Sequence, residues 1–266
     1  MNALPHPVFE PVAESLTLEA MRAAFRAADR PLRKKLMAAL PPAVVDFAGI
    51  RMYVDPRDNY TDRIIWLNGQ PPEMKSLTAL IEAVEGRNAF VLDIGANCGA
   101  FAVPLALAAG KGSRVIAFEP NPVMIGRLGH NVQLNGLGHV VRIEGCALAA
   151  ERGEAMLNFH GNNFGQASLM PVKRRSRHGG RLVPVRPLLD FVEEAAGHDV
   201  SVLKIDVEGA EPAALGPLLA AGGWLPDVML VETDHAGDWD SDLLGMIDSL
   251  GFKVVMQAEQ NTLFAR

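Results

Sequence analysis

The rhythm of hydrophobic and polar positions changes near residue 89. Over residues 15–40, Leu16, Met21, Phe25, Leu32, Leu36 and Leu40 recur at helical spacing among Arg, Lys and Glu. Pro31 splits this stretch into two helices, and Pro41-Pro42 ends it. VVDFAGIRMYV (44–54) reads as a hairpin turning near Gly49, followed by a loop and a helix over about 73–86. Residues 1–13, with Pro5, Pro7 and Pro11, read as a loose arm. This first part carries no catalytic pattern and is expected to form a cap over 1–86: arm, helices and hairpin.

From residue 89 short apolar runs alternate with helical segments. Strands are expected at 89–93, 114–119, 140–144, 200–206, 227–232, 252–257 and 262–266, and helices near 99–109, 121–135, 187–196, 210–221 and 239–250. Near-continuous apolar strands alternating with helices predict an α/β domain over 87–266, its parallel sheet covered on both faces. The last two strands are joined by a short link and should pair antiparallel. An insert at 152–186 contains AMLNF and LVPV, expected as extra edge strands, and the basic run KRRSRHGGR.

Composition narrows the function classes. The 266 residues are 49% hydrophobic and 21% charged, with a formal net charge of −6. That balance is globular and argues against a surface built to bind DNA, although a local basic patch is compatible with it. Two cysteines, Cys98 and Cys146, make neither a disulfide framework nor a zinc finger. Residues 1–16 lack a basic leader followed by an apolar core, and the most apolar run (100–110) is short and contains Pro104. The expectation is a cytoplasmic protein without a transmembrane segment.

VLDIGANCGAF (91–101) follows a strand and opens a helix. Gly95 and Gly99 allow a sharp turn and a close approach to a ligand, and Asp93 sits at the strand's carboxyl end, where open α/β sheets bind ligands. The second strand ends in Glu119, placed to accept hydrogen bonds from both hydroxyls of a ribose; the alternative is that it caps the helix starting near Asn121. A nicotinamide-dependent oxidoreductase would use the same acidic residue, but its fingerprint is G-x-G-x-x-G, and Asn97 stands where the second glycine belongs. A ligand with an amino group and no phosphate fits better, which describes S-adenosylmethionine.

LDIGANCGAF, AFEPNP, GCALA, the NFGQASL segment and LKIDVEGAE, in this order, resemble the FkbM family of S-adenosylmethionine-dependent methyltransferases over roughly residues 45–266. The resemblance implies a Rossmann-like, seven-stranded, mostly parallel sheet with one antiparallel strand and helices on both faces. It also implies O-methylation of a hydroxyl on a sugar, polyketide or related metabolite. By the same resemblance Asp93, Gly95, Asn97 and Gly99 line the methionine end, Glu119 holds the ribose, Asn121 stands beside the adenine, and Cys146 and Ala147 border it.

The chemistry of methyl transfer to an alcohol asks for a base near the methyl group. KIDVEGAE places Lys204, Asp206 and Glu208 on one side of the fourth strand's carboxyl end, with Asp206 and Glu208 as candidate base or metal ligands. The alternative is that Asp206 or Glu208 caps the helix near Ala210 and Lys204 pairs with one of them. VETDHAGDW adds Glu232, Asp234 and His235 on the adjacent rim, and an imidazole can take a proton near neutrality. Asp206, Glu232 and Asp234 could together hold a divalent cation, which the spacing does not require.

Asn163, Gly165 and Ser168 could form a loop over the cofactor. Lys173, Arg174, Arg175, Arg177, His178 and Arg181 form either a solvated loop or a lid for an anionic acceptor. Tyr60, Asp62, Arg63 and Trp66 of the cap either reach over the ligand or pack internally. Other readings are an RNA methyltransferase, a cofactor-binding scaffold without turnover, and an oligomer.

Overall fold

A computed structural model describes residues 15–160, 163–168 and 180–266. Its elements in chain order are α1 (Ser15–Ala27), α2 (Arg30–Met37), β1 (Ala43–Phe47), β2 (Ile50–Val54), α3 (Tyr60–Asn68), α4 (Met74–Val84), β3 (Ala89–Ile94), α5 (Ala102–Ala108), β4 (Arg114–Phe118), α6 (Pro122–Leu134), β5 (Val141–Glu144), β6 (Ala147–Leu148), β7 (Gly153–His160), β8 (Asn163–Ser168), β9 (Gly180–Arg186), β10 (Val200–Ile205), α7 (Glu211–Ala221), β11 (Val228–Glu232), α8 (Leu243–Ser249), β12 (Lys253–Ala258) and β13 (Asn261–Ala265).

Seven strands form one sheet in the order β12-β13-β11-β10-β3-β4-β5. The pairs β4–β5, β3–β4, β3–β10 and β10–β11 are parallel, and β13 runs antiparallel to both β11 and β12. The expected α/β class and the single antiparallel strand are both present. All six residues of β3 and all six of β10 are buried, so these strands are covered on both faces. One face packs under α4, α5 and α6. The other packs under α7, α8 and the segment 188–195. Strand order reverses between β3 and β10, and in open α/β sheets ligands bind in the crevice outside the carboxyl ends at such a point.

Four expectations are corrected. The loop before residue 73 holds a helix, α3, capped by Asn59, whose side chain accepts from the Thr61 N–H at 3.1 Å, and closed by left-handed Gly69 (φ 75°). Its apolar residues Ile64–Leu67 come as a block, which hides the helical period, whereas the cap residues were visible. The helix expected at 187–196 is two 3₁₀ turns, Leu188–Asp190 and Val192–Ala195. Leu188 and Phe191 are both buried, and a spacing of three suits a three-residue turn that lays them on the sheet. The insert strands do not extend the main sheet. They form a four-stranded sheet of their own, β6-β9-β7-β8, because only alternate residues of β9, Val183 and Val185, are buried, so it has one apolar face rather than two. Finally, the chain breaks before Asp29, whose side chain caps α2, and Pro31 lies within the first turn of that helix.

The N-terminal elements share the core beneath α4–α6. Met52, Val54, Ile65, Trp66, Leu77 and Leu80 belong to the same buried cluster as Val91, Val103 and Val202. Buried polar contacts reinforce the junction. Asn131 of α6 donates to the Tyr53 and Cys98 carbonyls (3.1 and 2.8 Å) and accepts from the Tyr53 N–H (2.7 Å). Arg127 of α6 pairs with Asp58 (3.0 Å) and with Asp62, which is fully buried in α3. Residues 1–14, where the loose arm was expected, lie outside the described residues. Among those described, no helix is long and apolar enough to cross a membrane.

Removing one partner of a buried ion pair strands the other charge. Arg127→Met should therefore lower unfolding free energy by about 3–5 kcal/mol, read by urea denaturation, whereas Arg114→Met, at a half-exposed pair with Glu194, should cost less than about 1 kcal/mol.

Candidate active site

A cleft of about 300 Å³ opens at the carboxyl ends of β3, β4, β10 and β11, the lower end of the range that takes a cofactor-sized ligand. Its floor is the turn after β3. Gly95 lies at φ +80° and Gly99 at φ +93°, but their reasons differ from the expected close approach to a ligand. A Cβ on Gly95 would stand 1.9 Å from the Asp206 carbonyl oxygen, and one on Gly99 would meet Leu128 Cδ1 at 2.8 Å. Both glycines let protein pack on protein. Asn97 adopts φ +51° without being glycine.

At one end stands Glu119, just past β4. Its two carboxylate oxygens accept the backbone N–H groups of Asn121 (2.8 Å) and Asn97 (2.9 Å). Burial pushes its pKa up to about 7 against those donors. The cap role belongs to Asn121, whose side chain accepts from Val123 N–H. Beside Glu119 the wall is apolar: Phe118, Cys146, Ala147, Leu148 and Leu157, the last three from the four-stranded sheet. Burial, with the Glu144 charge, raises the Cys146 thiol to about 11, so it presents a neutral surface.

The other end is acidic. Asp206, Glu208, Glu232 and Asp234 line it together with Glu73, which the N-terminal part contributes. Lys204 is buried among them. Its ammonium donates to the Gly95 carbonyl (3.0 Å), lies 3.6 Å from both Asp93 and Asp206, and faces the Phe101 ring at 5.3 Å. Burial opposes its charge, but Asp206, Asp93, Glu73 and Glu232 outweigh burial and raise its pKa. Burial and the Asp206 charge raise Glu73, bring Glu208 to about 7, and hold Glu232 well above the ordinary carboxylate range. His235 Nε2 lies 3.7 Å from Glu208.

The loop carrying Asp206 and Glu208 is shaped by a residue that sequence reasoning left without a role. Glu211, fully buried, accepts the N–H groups of Val207 (2.9 Å) and Gly209 (3.3 Å) and the Trp239 indole N–H (3.2 Å). It thereby supports Glu208 at φ +55°, a costly conformation that persists where its surroundings enforce it. Neither Asp206 nor Glu208 caps α7, whose N-cap is Ala210; Lys204 does pair with Asp206.

Of the expected residues, Gly95, Asn97, Glu119, Cys146, Ala147, Asp206, Glu208 and His235 line the cleft. Asp93, Gly99 and Asn121 stand behind its surface. Asp93 is fully buried, with the Lys204 ammonium 3.6 Å from its carboxylate. From the cap, Tyr60 reaches the cleft, whereas Asp62 and Trp66 pack internally and Arg63 donates to the Pro56 carbonyl. Asn59, Thr61, Glu73 and Gln260 also line the cleft and were missed; the cap position of Asn59 was the one available signal. Asn163, Gly165 and Ser168 fall on β8, with no side chain described, and Lys173–His178 lie outside the described residues. Among the described residues, no group of three or more His, Cys, Asp or Glu is arranged to hold a metal ion.

The chain matches the family model of the methyltransferase FkbM domain over residues 93–254. It belongs to the FkbM methyltransferase family. The curated methyltransferase sdnD of Sordaria araneosa is 26% identical over 194 residues, 63% of this chain and 74% of that one. Among solved structures, a Pyrococcus horikoshii protein is 19% identical with a TM-score of 0.32, over 40% of this chain and only 36% of its own. Methyltransferase FkbM from Methylobacillus flagellatus is 13% identical with a TM-score of 0.44, over 78% of this chain and 66% of its own. An RNA methyltransferase from Salinibacter ruber, in complex with S-adenosyl-L-homocysteine, is 14% identical with a TM-score of 0.37, over 71% of this chain and 86% of its own. The family membership sets aside the oxidoreductase reading.

Two outcomes test this geometry. Gly95→Ala should destabilise more than Gly99→Ala in thermal unfolding, since a backbone carbonyl cannot yield as Leu128 Cδ1 can. Hydroxyls docked on Glu119 would favour its ionised form, so a nucleoside held there would expel a proton below pH 7. S-adenosylhomocysteine affinity by calorimetry should rise, by up to about tenfold per pH unit, from pH 5.5 to about 7 and then level off. Glu119→Gln should bind weakly and flatten that profile.

Proposed function

We propose that this FkbM-family methyltransferase takes its methyl group from S-adenosylmethionine and passes it to a hydroxyl of a small acceptor such as a sugar, polyketide or related metabolite. The observation that carries the reading is one cleft with a clasped carboxylate beside an apolar wall at one end and a set of carboxylates at the other. The residues fit the cofactor: Glu119 keeps lone pairs for two ribose hydroxyls, and Phe118, Ala147, Leu148 and Leu157 give a planar base an apolar slot. When bound, the cofactor supplies an activated methyl electrophile.

The chain's own part is to orient an alcohol and remove its proton. Such a base contributes about 10²–10⁴-fold. Asp206 stands 3.6 Å from the Lys204 ammonium and is the candidate base, while burial and the Asp206 charge favour the protonated form of Glu232 beside it. Glu208 and His235 lead from there toward solvent, His235 being 38% exposed in its side chain, and serve as the exit for the proton. The carboxylates of Glu73, Asp206, Glu208, Glu232 and Asp234 favour a neutral acceptor over an anionic one, and they would repel the phosphates of an RNA. Both cysteines are buried free thiols, in keeping with a reaction in the reducing cytoplasm.

The test is transfer of labelled methyl from S-adenosylmethionine to a panel of neutral glycosides, hydroxylated polyketides, sugar phosphates and mixed RNA. Transfer to a neutral hydroxyl, with kcat about 10²–10⁴-fold lower in Asp206→Asn and cofactor affinity retained, is the expected result. Transfer to RNA alone, or an unimpaired Asp206→Asn, overturns the proposal.

A further inference from the structure

The family model begins at residue 93, yet the cleft wall includes Asn59, Tyr60 and Thr61 from the junction of the N-terminal hairpin with α3. We propose that Asn59 is a positioning residue for the cofactor end of the site: its side-chain amide holds the Asn97 side chain, and so the left-handed Asn97 backbone whose N–H clasps Glu119. The inference rests on the reading that Glu119 receives the nucleoside.

Asn59 is fully buried. Its Nδ2 donates to Asn97 Oδ1 at 2.5 Å, the shortest of its contacts, with Asp62 Oδ1 at 3.3 Å and Met124 Sδ at 3.2 Å. Its Oδ1 accepts from Thr61 N–H at 3.1 Å. These partners fix which way the amide points. Turned over, its oxygen would face the Asn97 oxygen and the Asp62 carboxylate, and the Thr61 N–H would lose its acceptor. Asp62 is itself held by the Arg127 ion pair and by the Asp55 N–H at 2.9 Å. A rigid polar chain therefore runs from α6 through Asp62 and Asn59 to Asn97.

At its far end stands a residue that needs support. A non-glycine at φ +51° resists its own conformation, and a short polar side chain bonded locally is what makes that conformation tenable. Holding it there aims the Asn97 N–H at Glu119 Oε2, 2.9 Å away. That donor favours the ionised form of a carboxylate that burial otherwise drives toward protonation. Loss of the brace should thus weaken nucleoside binding and also raise the pH at which binding saturates.

The obvious objection is that Asn59 only caps α3. Asn59→Ser keeps a capping oxygen but has no donor to reach Asn97. Asn97→Ala cuts the same contact from the other side without touching the cap. In the full-length protein, each should weaken S-adenosylhomocysteine binding about three- to tenfold, the size of one lost hydrogen bond, and shift the midpoint of the binding–pH profile upward. Asn97→Gly, which takes φ > 0 freely and keeps its N–H, should make Asn59→Ser silent: the double variant should bind as Asn97→Gly alone. The inference is overturned if Asn97→Ala leaves affinity and midpoint unchanged, or if Asn59→Ser is equally harmful in the Asn97→Gly background. If the wild type does not bind S-adenosylhomocysteine, or Glu119→Gln binds as tightly as wild type, the underlying site reading fails instead.

Discussion

A single buried ammonium holds the two halves of the cleft in register. Lys204 projects from β10 toward the β3 turn, where it donates to the Gly95 carbonyl and balances Asp93 on one side and Asp206 on the other. Stripped of water, a lysine there would shed its proton; the surrounding carboxylates raise its pKa instead. The charge also explains how Asp93, fully buried, is tolerated. Because the strand ends meet this closely, Gly95 has no room for a side chain. Sheet topology brings β3 and β10 together, and this contact sets how far their loops can part.

Much of the fold was legible because its strongest signals are local. The central strands β3 and β10 are short, largely apolar runs, and burial on both faces makes such runs unmistakable. Where the pattern misled, a specific local feature was responsible. The Ile64–Leu67 block concealed α3, the three-residue spacing of Leu188 and Phe191 imitated a helix, and the alternation in LVPV was noted without concluding that a one-faced strand needs a sheet of its own.

The site was legible where its residues are contiguous. Glu119, Asp206 and Glu208 follow directly from strand ends in motif segments, and the structure gathers them in one cleft. Glu73, Asn59 and Gln260 were not, since each reaches the cleft from a segment distant in sequence, and one chain alone carries no sign of which distant residues meet. Asp93 and Gly99 were legible as motif positions but not in their part: one balances a buried cation, the other accommodates Leu128. Motif spacing reports that a residue type is needed, and a ligand and a neighbouring side chain can ask for the same type.

The two ends of the cleft differ in how their charge is arranged. At the Glu119 end one carboxylate is met by two backbone donors, so its charge is partly satisfied before any ligand arrives. At the Lys204 end burial, and with it the crowding of carboxylates around Asp206, makes Glu73, Glu208 and Glu232 bind protons more tightly. A cleft in that state attracts positive charge at the acidic end and tolerates a neutral hydroxyl there, while an anion entering would meet carboxylates that could answer only by taking up protons. The N-terminal part supplies Glu73 to that end and Asn59 to the other. Both ends of the cleft are therefore finished by residues that precede the matched family region.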